Sequence, residues 1–221
     1  MFLLIRIAVA FVIAGWLMQQ VRKPGGWVGR TVARAMGLSH SAMTDWGLRQ
    51  LTVAKKASVL DVGCGGGRTV GKLAALAPEG RVVGLDYSAA SVAVARETNA
   101  EAIQAGRVAI EQGSVAALPF PDGTFDIVTA VETHYYWPDL SANVREVFRV
   151  IKPGGTFALI AETYRGGPLV WLYGPVMALL RAAFLTDAEH RDLLSQAGFS
   201  EVSTEHAKGK NWICALGRRP L

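Results

Sequence analysis

Apolar residues along the chain gather into short runs, and these alternate with stretches of helical period. Runs near 57–62, 81–86, 107–112, 125–131 and 154–161 predict strands, with helices near 66–76, 88–104 and 140–150 between them. Strand and helix in regular alternation predict a parallel, doubly wound α/β sheet. A further helix over 186–197 ends at Gly198, and short runs around 200–206 and 211–216 form a closing hairpin-like pair. Upstream, Lys23-Pro24-Gly25-Gly26 breaks the chain, and Ser39 or Ser41 caps a helix running to about Leu51.

A different pattern occupies the N-terminus, where Phe2 to Met18 is apolar but for Arg6. Roughly 17 to 20 helical residues rising about 1.5 Å each approach the roughly 30 Å hydrocarbon thickness of a bilayer. The stretch is just long enough to span. Trp16 would sit near an interface, Arg6 would snorkel, and Arg22, Lys23, Arg30 and Arg34 would hold the adjoining segment on the cytoplasmic side. A cleaved signal peptide fits less well, because almost no basic region precedes the run and no clear polar cleavage segment succeeds it. A helix lying in the interface plane or packed across the domain's own ligand cleft is the alternative. The chain thus divides into an anchor or amphipathic helix over 1–22, a basic linker with a helix leading inward over 23–52, and a globular domain over 53–221.

Charge sharpens this division. The formal net charge of +5 would suggest a nucleic-acid partner if it lay on the domain. Residues 1–56 instead carry eight basic residues against Asp45 alone, which leaves −2 for the rest. No nucleic-acid partner is expected. The two cysteines, Cys64 and Cys214, form no disulfide framework, and the histidines and acids show no metal-ligand spacing.

Candidate chemistry is concentrated in Ser58-Val59-Leu60-Asp61-Val62-Gly63-Cys64-Gly65-Gly66-Gly67-Arg68-Thr69, where a strand leads into an acid and then three alternating glycines. Glycine lets backbone approach a ligand closely at the carboxyl edge of a parallel sheet. A dinucleotide fingerprint counted from Gly63 would need a small residue where Arg68 stands. A phosphate loop from Gly66 through Gly71-Lys72 fails at Leu73, which has no hydroxyl for a magnesium ion. The remaining pattern, D-x-G-x-G-x-G, resembles motif I of the class I S-adenosylmethionine (SAM) dependent methyltransferases.

Further segments extend the resemblance over about Val53 to Gly217. Arg81 to Ser88 is a second strand ending in Asp86, at the distance expected of a ribose-binding carboxylate. Gly113 to Phe120 is similar to the family's adenine-side segment, Phe125 to Val131 to its fourth strand, and Arg149 to Phe157 to its helix, turn and fifth strand. The resemblance implies a Rossmann-like sheet of seven strands with the last antiparallel. It also implies SAM as cofactor, with Asp61, Gly63, Gly65, Gly67, Asp86, Tyr87, Ser114, Val115 and Val131 around it. Ser114 stands where the family often carries Asp, and a hydroxyl accepts more weakly from the adenine amino group.

Methyl transfer needs in-line approach of a nucleophile, and a base only where the acceptor must lose a proton. Glu132, His134 and Tyr135 come after the fourth strand and emerge at the edge where the methyl should point, His134 being the leading base candidate. Tyr135, Tyr136 and Trp137 suggest an aromatic wall, at least one of them core. His40, His190 and His206 lie away from the motif edges and read as surface or structural. Tyr164 to Leu185, apolar but broken by Gly166, Gly167, Pro168, Gly174 and Pro175, reads equally as a cover over the crevice or as core completion. The expectation is a membrane-tethered, cytoplasm-facing methyltransferase of a small, lipophilic acceptor, similar to the group that includes quinone-biosynthesis methyltransferases. The alternatives are a cytoplasmic methyltransferase of a polar metabolite and a SAM-binding protein without transfer activity.

Overall fold

The computed structural model describes residue 20 and residues 23–221; the anchor or amphipathic helix expected over 1–22 lies, but for residue 20, outside the described residues. Among the described residues no helix is long and apolar enough to cross a membrane.

Seven strands form one sheet: β1 (Ser58–Val62), β2 (Arg81–Asp86), β3 (Val108–Gln112), β4 (Phe125–Val131), β5 (Ile151–Ala161), β6 (Ser200–His206) and β7 (Ile213–Arg218). Their order is β3-β2-β1-β4-β5-β7-β6. Strands β1 to β5 run parallel, and β7 lies antiparallel to both β5 and β6. The central strands can be apolar throughout because both faces of the sheet are covered. Side-chain alternation then divides neighbours between two cores: Leu60 and Val128 face one layer, Val59 and Ile127 the other. The strand order reverses between β1 and β4, and their carboxyl ends open a crevice at this switch point.

Helices α1 (Gly26–Ser39) and α2 (Ser41–Leu48) precede the sheet, and α3 (Arg68–Leu76), α4 (Ala89–Thr98), α5 (Ala100–Gln104) and α6 (Leu140–Val150) connect its parallel strands. Beyond β5 come α7 (Val170–Leu179) and α8 (Asp187–Gln196), the latter opened by a capping box between Thr186 and Glu189. Four local expectations change. The basic linker is itself helical as α1, and neither Ser39 nor Ser41 caps α2, whose N-cap is His40 without a side-chain bond. The single helix expected over 88–104 is divided at Asn99, whose buried Nδ2 donates to the carbonyls of Gly67 and Ala95, both at 2.9 Å. Strand β5 already begins at Ile151, so Pro153-Gly154-Gly155 lies within an irregular start to the strand.

Tyr164 to Leu185 is divided between core and surface. Tyr164, Met177, Phe184 and Leu185 pack on the core, while Trp171 of α7 is 72 % exposed and Leu179 65 %. None of this segment lines the cavity at the sheet edge; part of it completes the core, and the exposed face of α7 does not.

That crevice is instead bounded by α1 and α2. Helix α2 approaches β5 closely because Gly47 has no side chain: a Cβ there would lie 2.6 Å from a carbon of Ile160. From α3, Lys72 Nζ donates to Ser41 O at 2.9 Å and Ser41 Oγ at 2.8 Å, and pairs with Asp45 at 2.6 Å. Gly47→Ala is expected to destabilise the fold by about 1–3 kcal/mol, the usual cost of overpacking. A lowered thermal midpoint in calorimetry checks this, and an unchanged midpoint would show that α2 is not so closely seated.

Candidate active site

Between β1 and α3 the chain turns through Gly63, Gly65 and Gly67 with φ of +73°, +51° and +79°. Each glycine answers a different neighbour. A Cβ on Gly63 would fall 2.1 Å from Thr133 Oγ1, and one on Gly67 would fall 2.5 Å from Asn99 Nδ2. A Cβ on Gly65 would meet no heavy atom within 4 Å and would project into open space. That space belongs to a cavity of about 660 Å³, within the range of small-molecule and cofactor sites.

Asp86, at the end of β2, is 7 % exposed and lines this cavity. Its Oδ2 accepts from Gly65 N at 2.9 Å and its Oδ1 from Ser88 N at 2.8 Å. Burial pushes the carboxyl above its ordinary range, and these two amides oppose the rise. A carboxylate offers about four acceptor positions, so both oxygens retain capacity for ribose hydroxyls. Tyr87 is 42 % exposed, with Lys23 Nζ 5.5 Å from its ring centre. Ser114, Val115 and Val131 also line the cavity, the Ser114 hydroxyl accepting from Ala116 N at 3.2 Å.

Two expected cofactor contacts lie deeper. Gly67 is turned toward α4, and neither it nor Asp61 lines the cavity. Asp61 is 1 % exposed and accepts from Thr129 Oγ1 at 2.6 Å, and burial pushes its carboxyl up to about 7. Gly67 seats the loop against α4, and Asp61 ties β1 to β4.

The loop after β4 redistributes the expected catalytic trio. A single 3-10 turn over His134–Tyr136 directs His134 inward, fully buried against Tyr135 and His190, with ring centroids 4.1 and 5.6 Å away. Neither imidazole nitrogen has a hydrogen-bond partner among the described residues, and burial drives its protonation well below the usual histidine range. His134 is therefore placed as a neutral core side chain, out of reach of the cavity. Tyr135 is also buried, its phenol pushed well above 10 by burial and Glu132, so it remains a neutral donor. Tyr136, Trp137 and Pro138 line the cavity instead.

Glu132 does reach it. Its backbone adopts φ +58°, unusual for a non-glycine residue, while its amide donates to Ile160 O at 3.0 Å. Its Oε1 accepts from Tyr135 Oη at 3.0 Å and from the Glu162 amide. Burial pushes the Glu132 carboxyl up to about 7. Opposite stands His40, between α1 and α2, with Nε2 3.3 Å from Glu162 Oε2 and 3.9 Å from Glu132 Oε2. One nitrogen and two carboxylate oxygens thus converge within 4.8 Å of one another.

Nothing in the spacing of His40 to the later motifs marks it, and by sequence it reads as surface or structural. Its position between Ser39 and Ser41 at a helix boundary was the available local signal. The reading of the other two holds: His190 is buried with Nδ1 2.7 Å from Thr186 O, and His206 pairs with Asp187 at 2.9 Å on the surface.

Comparison with known proteins bears on the family and the fold. Residues 60–159 match the family model described as a methyltransferase domain. The demethylmenaquinone methyltransferase of Lactiplantibacillus plantarum is 32 % identical over 168 residues, covering 71 % of this chain and 71 % of that protein. The chloroplastic 2-methyl-6-phytyl-1,4-hydroquinone methyltransferase 2 of Oryza sativa subsp. japonica is 32 % identical over 169 residues, covering 76 % of this chain and 46 % of that one. In fold, human N-acetylserotonin methyltransferase, solved with SAM, superposes with a TM-score of 0.71 at 20 % identity, over 87 % of this chain and 56 % of that one. With its glycine loop, Asp86 and sheet order, the chain belongs to the class I SAM-dependent methyltransferases and is an enzyme of the small-molecule type, similar to those of quinone biosynthesis.

Proposed function

We propose that the enzyme methylates a lipophilic acceptor of the hydroquinone class, held at a membrane by residues 2–21 with the catalytic domain in the cytoplasm. The observation that carries this reading is where the cavity wall comes from. Gln20, Lys23 and Pro24 line the cavity, and they come directly after the apolar run Phe2 to Met18. An acceptor dissolved in the bilayer would therefore meet the site where the chain leaves the lipid.

The site's inner end suits such a ring. Tyr136 and Trp137 supply an aromatic wall, and Glu132 supplies a carboxyl balanced near neutrality beside it. SAM, held by the Gly63 to Gly66 loop and Asp86, supplies an electrophilic methyl on a positive sulfur. The chain's own residues orient the acceptor against it and exclude water, and positioning of this kind accounts for much of the rate in such transfers. Two relatives whose names specify a demethylated menaquinone and a phytyl hydroquinone as acceptor support the class.

Two measurements test the reading. With labelled SAM, a prenylated naphthohydroquinone lacking the ring methyl should become labelled, and failure across hydroquinones with methylation of polar metabolites would overturn the acceptor class. The full chain should also sediment with membranes in 1 M salt. Attachment through Arg22, Lys23 and Arg30 alone is screened within about 3 Å at that strength, so release by salt would replace the spanning anchor with a peripheral helix.

A further inference from the structure

Helix α7 is apolar on every side, yet Met177 is its one buried residue. A helix of that composition is stable where apolar matter surrounds it, in a core or in lipid. Trp171, Leu172, Pro175, Val176 and Leu179, all exposed, stand at i, i+1, i+4, i+5 and i+8 and form one face turned away from Met177. Among the described residues nine large apolar side chains are exposed, and five of them lie between Leu169 and Leu179. Exposure gathered in this way marks an interaction surface.

The patch stands beside the cavity. Helix α7 comes after the carboxyl end of β5, and Ala183 N just beyond it donates to Tyr135 O at 2.8 Å. The Tyr173 phenol is raised by burial and by the nearby carboxylates of Glu162 and Glu132. Lys23 and Pro24 also line the cavity, and Trp27, three residues further along, is 81 % exposed. No residue from Gly166 to Leu180 is charged, and Arg165 and Arg181 bracket the stretch. Arg165 pairs with Glu189, whereas Arg181 is exposed and meets no carboxylate among the described residues.

We propose that the exposed face of α7 lies in the headgroup layer of a bilayer and turns the cavity-bearing edge of the sheet toward the lipid, which rests on the membrane-held reading above. Ten helical residues measure about 15 Å, too short to span but suited to lying in the interface with tryptophan and arginine at headgroup depth. Arg181 complements anionic headgroups. The apolar run Phe2 to Met18 would measure about 26 Å at the same rise, so α7 could cover only part of it. A second copy would meet this one helix, where stable interfaces take about 20–30 residues a side. A bilayer covers both the run and the helix. The consequence is orientation: a single anchor leaves the domain free to swing, and a second contact fixes the edge that faces the lipid.

Full-length protein in vesicles of phosphatidylcholine and phosphatidylglycerol tests this. Cys64 and Cys214 are buried, so Leu179→Cys provides the site for an environment-sensitive fluorophore, with Glu79→Cys before β2, on the amino edge of the sheet, as reference. Lipid brominated along its acyl chains should quench the probe at 179 at least about 2-fold more than the probe at 79, as insertion by about 5–10 Å requires, and aqueous iodide should do the reverse. Trp171→Glu combined with Leu179→Glu should slow methylation of vesicle-borne prenylated naphthohydroquinone by about 10-fold, the weight of one buried apolar side chain. SAM affinity and the rate on a water-soluble naphthohydroquinone without the prenyl tail should stay within about 2-fold of the parent, as for an ordinary surface change. A probe at 179 that iodide reaches and brominated lipid does not, in a chain that still sediments in high salt, would overturn the docking and leave the anchor standing. A probe shielded from both quenchers would overturn it by placing residues 2–18 or a second copy on α7. Equal losses on the two hydroquinones would overturn it by tracing the defect to the cavity. Quenching at 179 in a chain that high salt releases would support the docking and remove the spanning anchor. A parent that methylates neither hydroquinone would remove the acceptor class, and the docking would then stand or fall on the quenching.

Discussion

Gly65→Val is expected to abolish measurable SAM binding while leaving a cooperative unfolding transition. Its backbone stands at φ +51°, where a β-branched side chain is strained. The strain is local, because an added Cβ meets no protein atom within 4 Å and points only into the cavity. The substituent would occupy ligand space and leave the packing around it in place. Gly63 makes the contrast, since a Cβ there would strike Thr133 Oγ1 and disturb the junction of β1 with the loop after β4. Calorimetric titration with SAM and a thermal melt of each variant separate the two effects. Unimpaired binding by Gly65→Val would remove this loop from the cofactor site.

For Asp86→Ala the expected loss is about 1.5–3 kcal/mol of SAM binding, roughly 10- to 150-fold in affinity, through the charge-assisted bonds a ribose would make. The substitution also deprives Gly65 N and Ser88 N of their acceptor, which loosens the loop that Gly65 must present. Asp86→Asn retains part of that backbone support and removes the charge, so it should fall between the parent and Asp86→Ala. Equal affinities in all three proteins would place the ribose elsewhere.

The sheet could be read from residues alone because its strands carry their own pattern. Val59-Leu60 and Ile127-Val128 are apolar on both faces, and Gly63 just after β1 and Asp86 at the end of β2 mark the shared carboxyl edge. The site's other wall depends on contacts between distant segments. No local rule states that α2 will lie on Ile160, so His40 gave no sign of meeting Glu132 and Glu162. His134 failed for a different reason: a turn after a strand fixes the position of the chain at the sheet edge but not the azimuth of each side chain. One 3-10 turn sufficed to send His134 into the core and leave Glu132 and Tyr136 at the cavity.

Asn99 makes the glycine loop dependent on the far end of a helix beyond β2. Its amide holds the Gly67 carbonyl, and its own helix is interrupted so that it can do so. The segment from Ser58 to Leu76 is consequently not fully portable: grafted into another sheet without an equivalent amide, it would carry every glycine of the motif but leave the Gly67 carbonyl with Gly71 N alone, at 3.2 Å. Variation at position 99 and in the loop should accordingly be inherited as a pair, so that a swap of either one between homologous enzymes is tolerated only when the other travels with it.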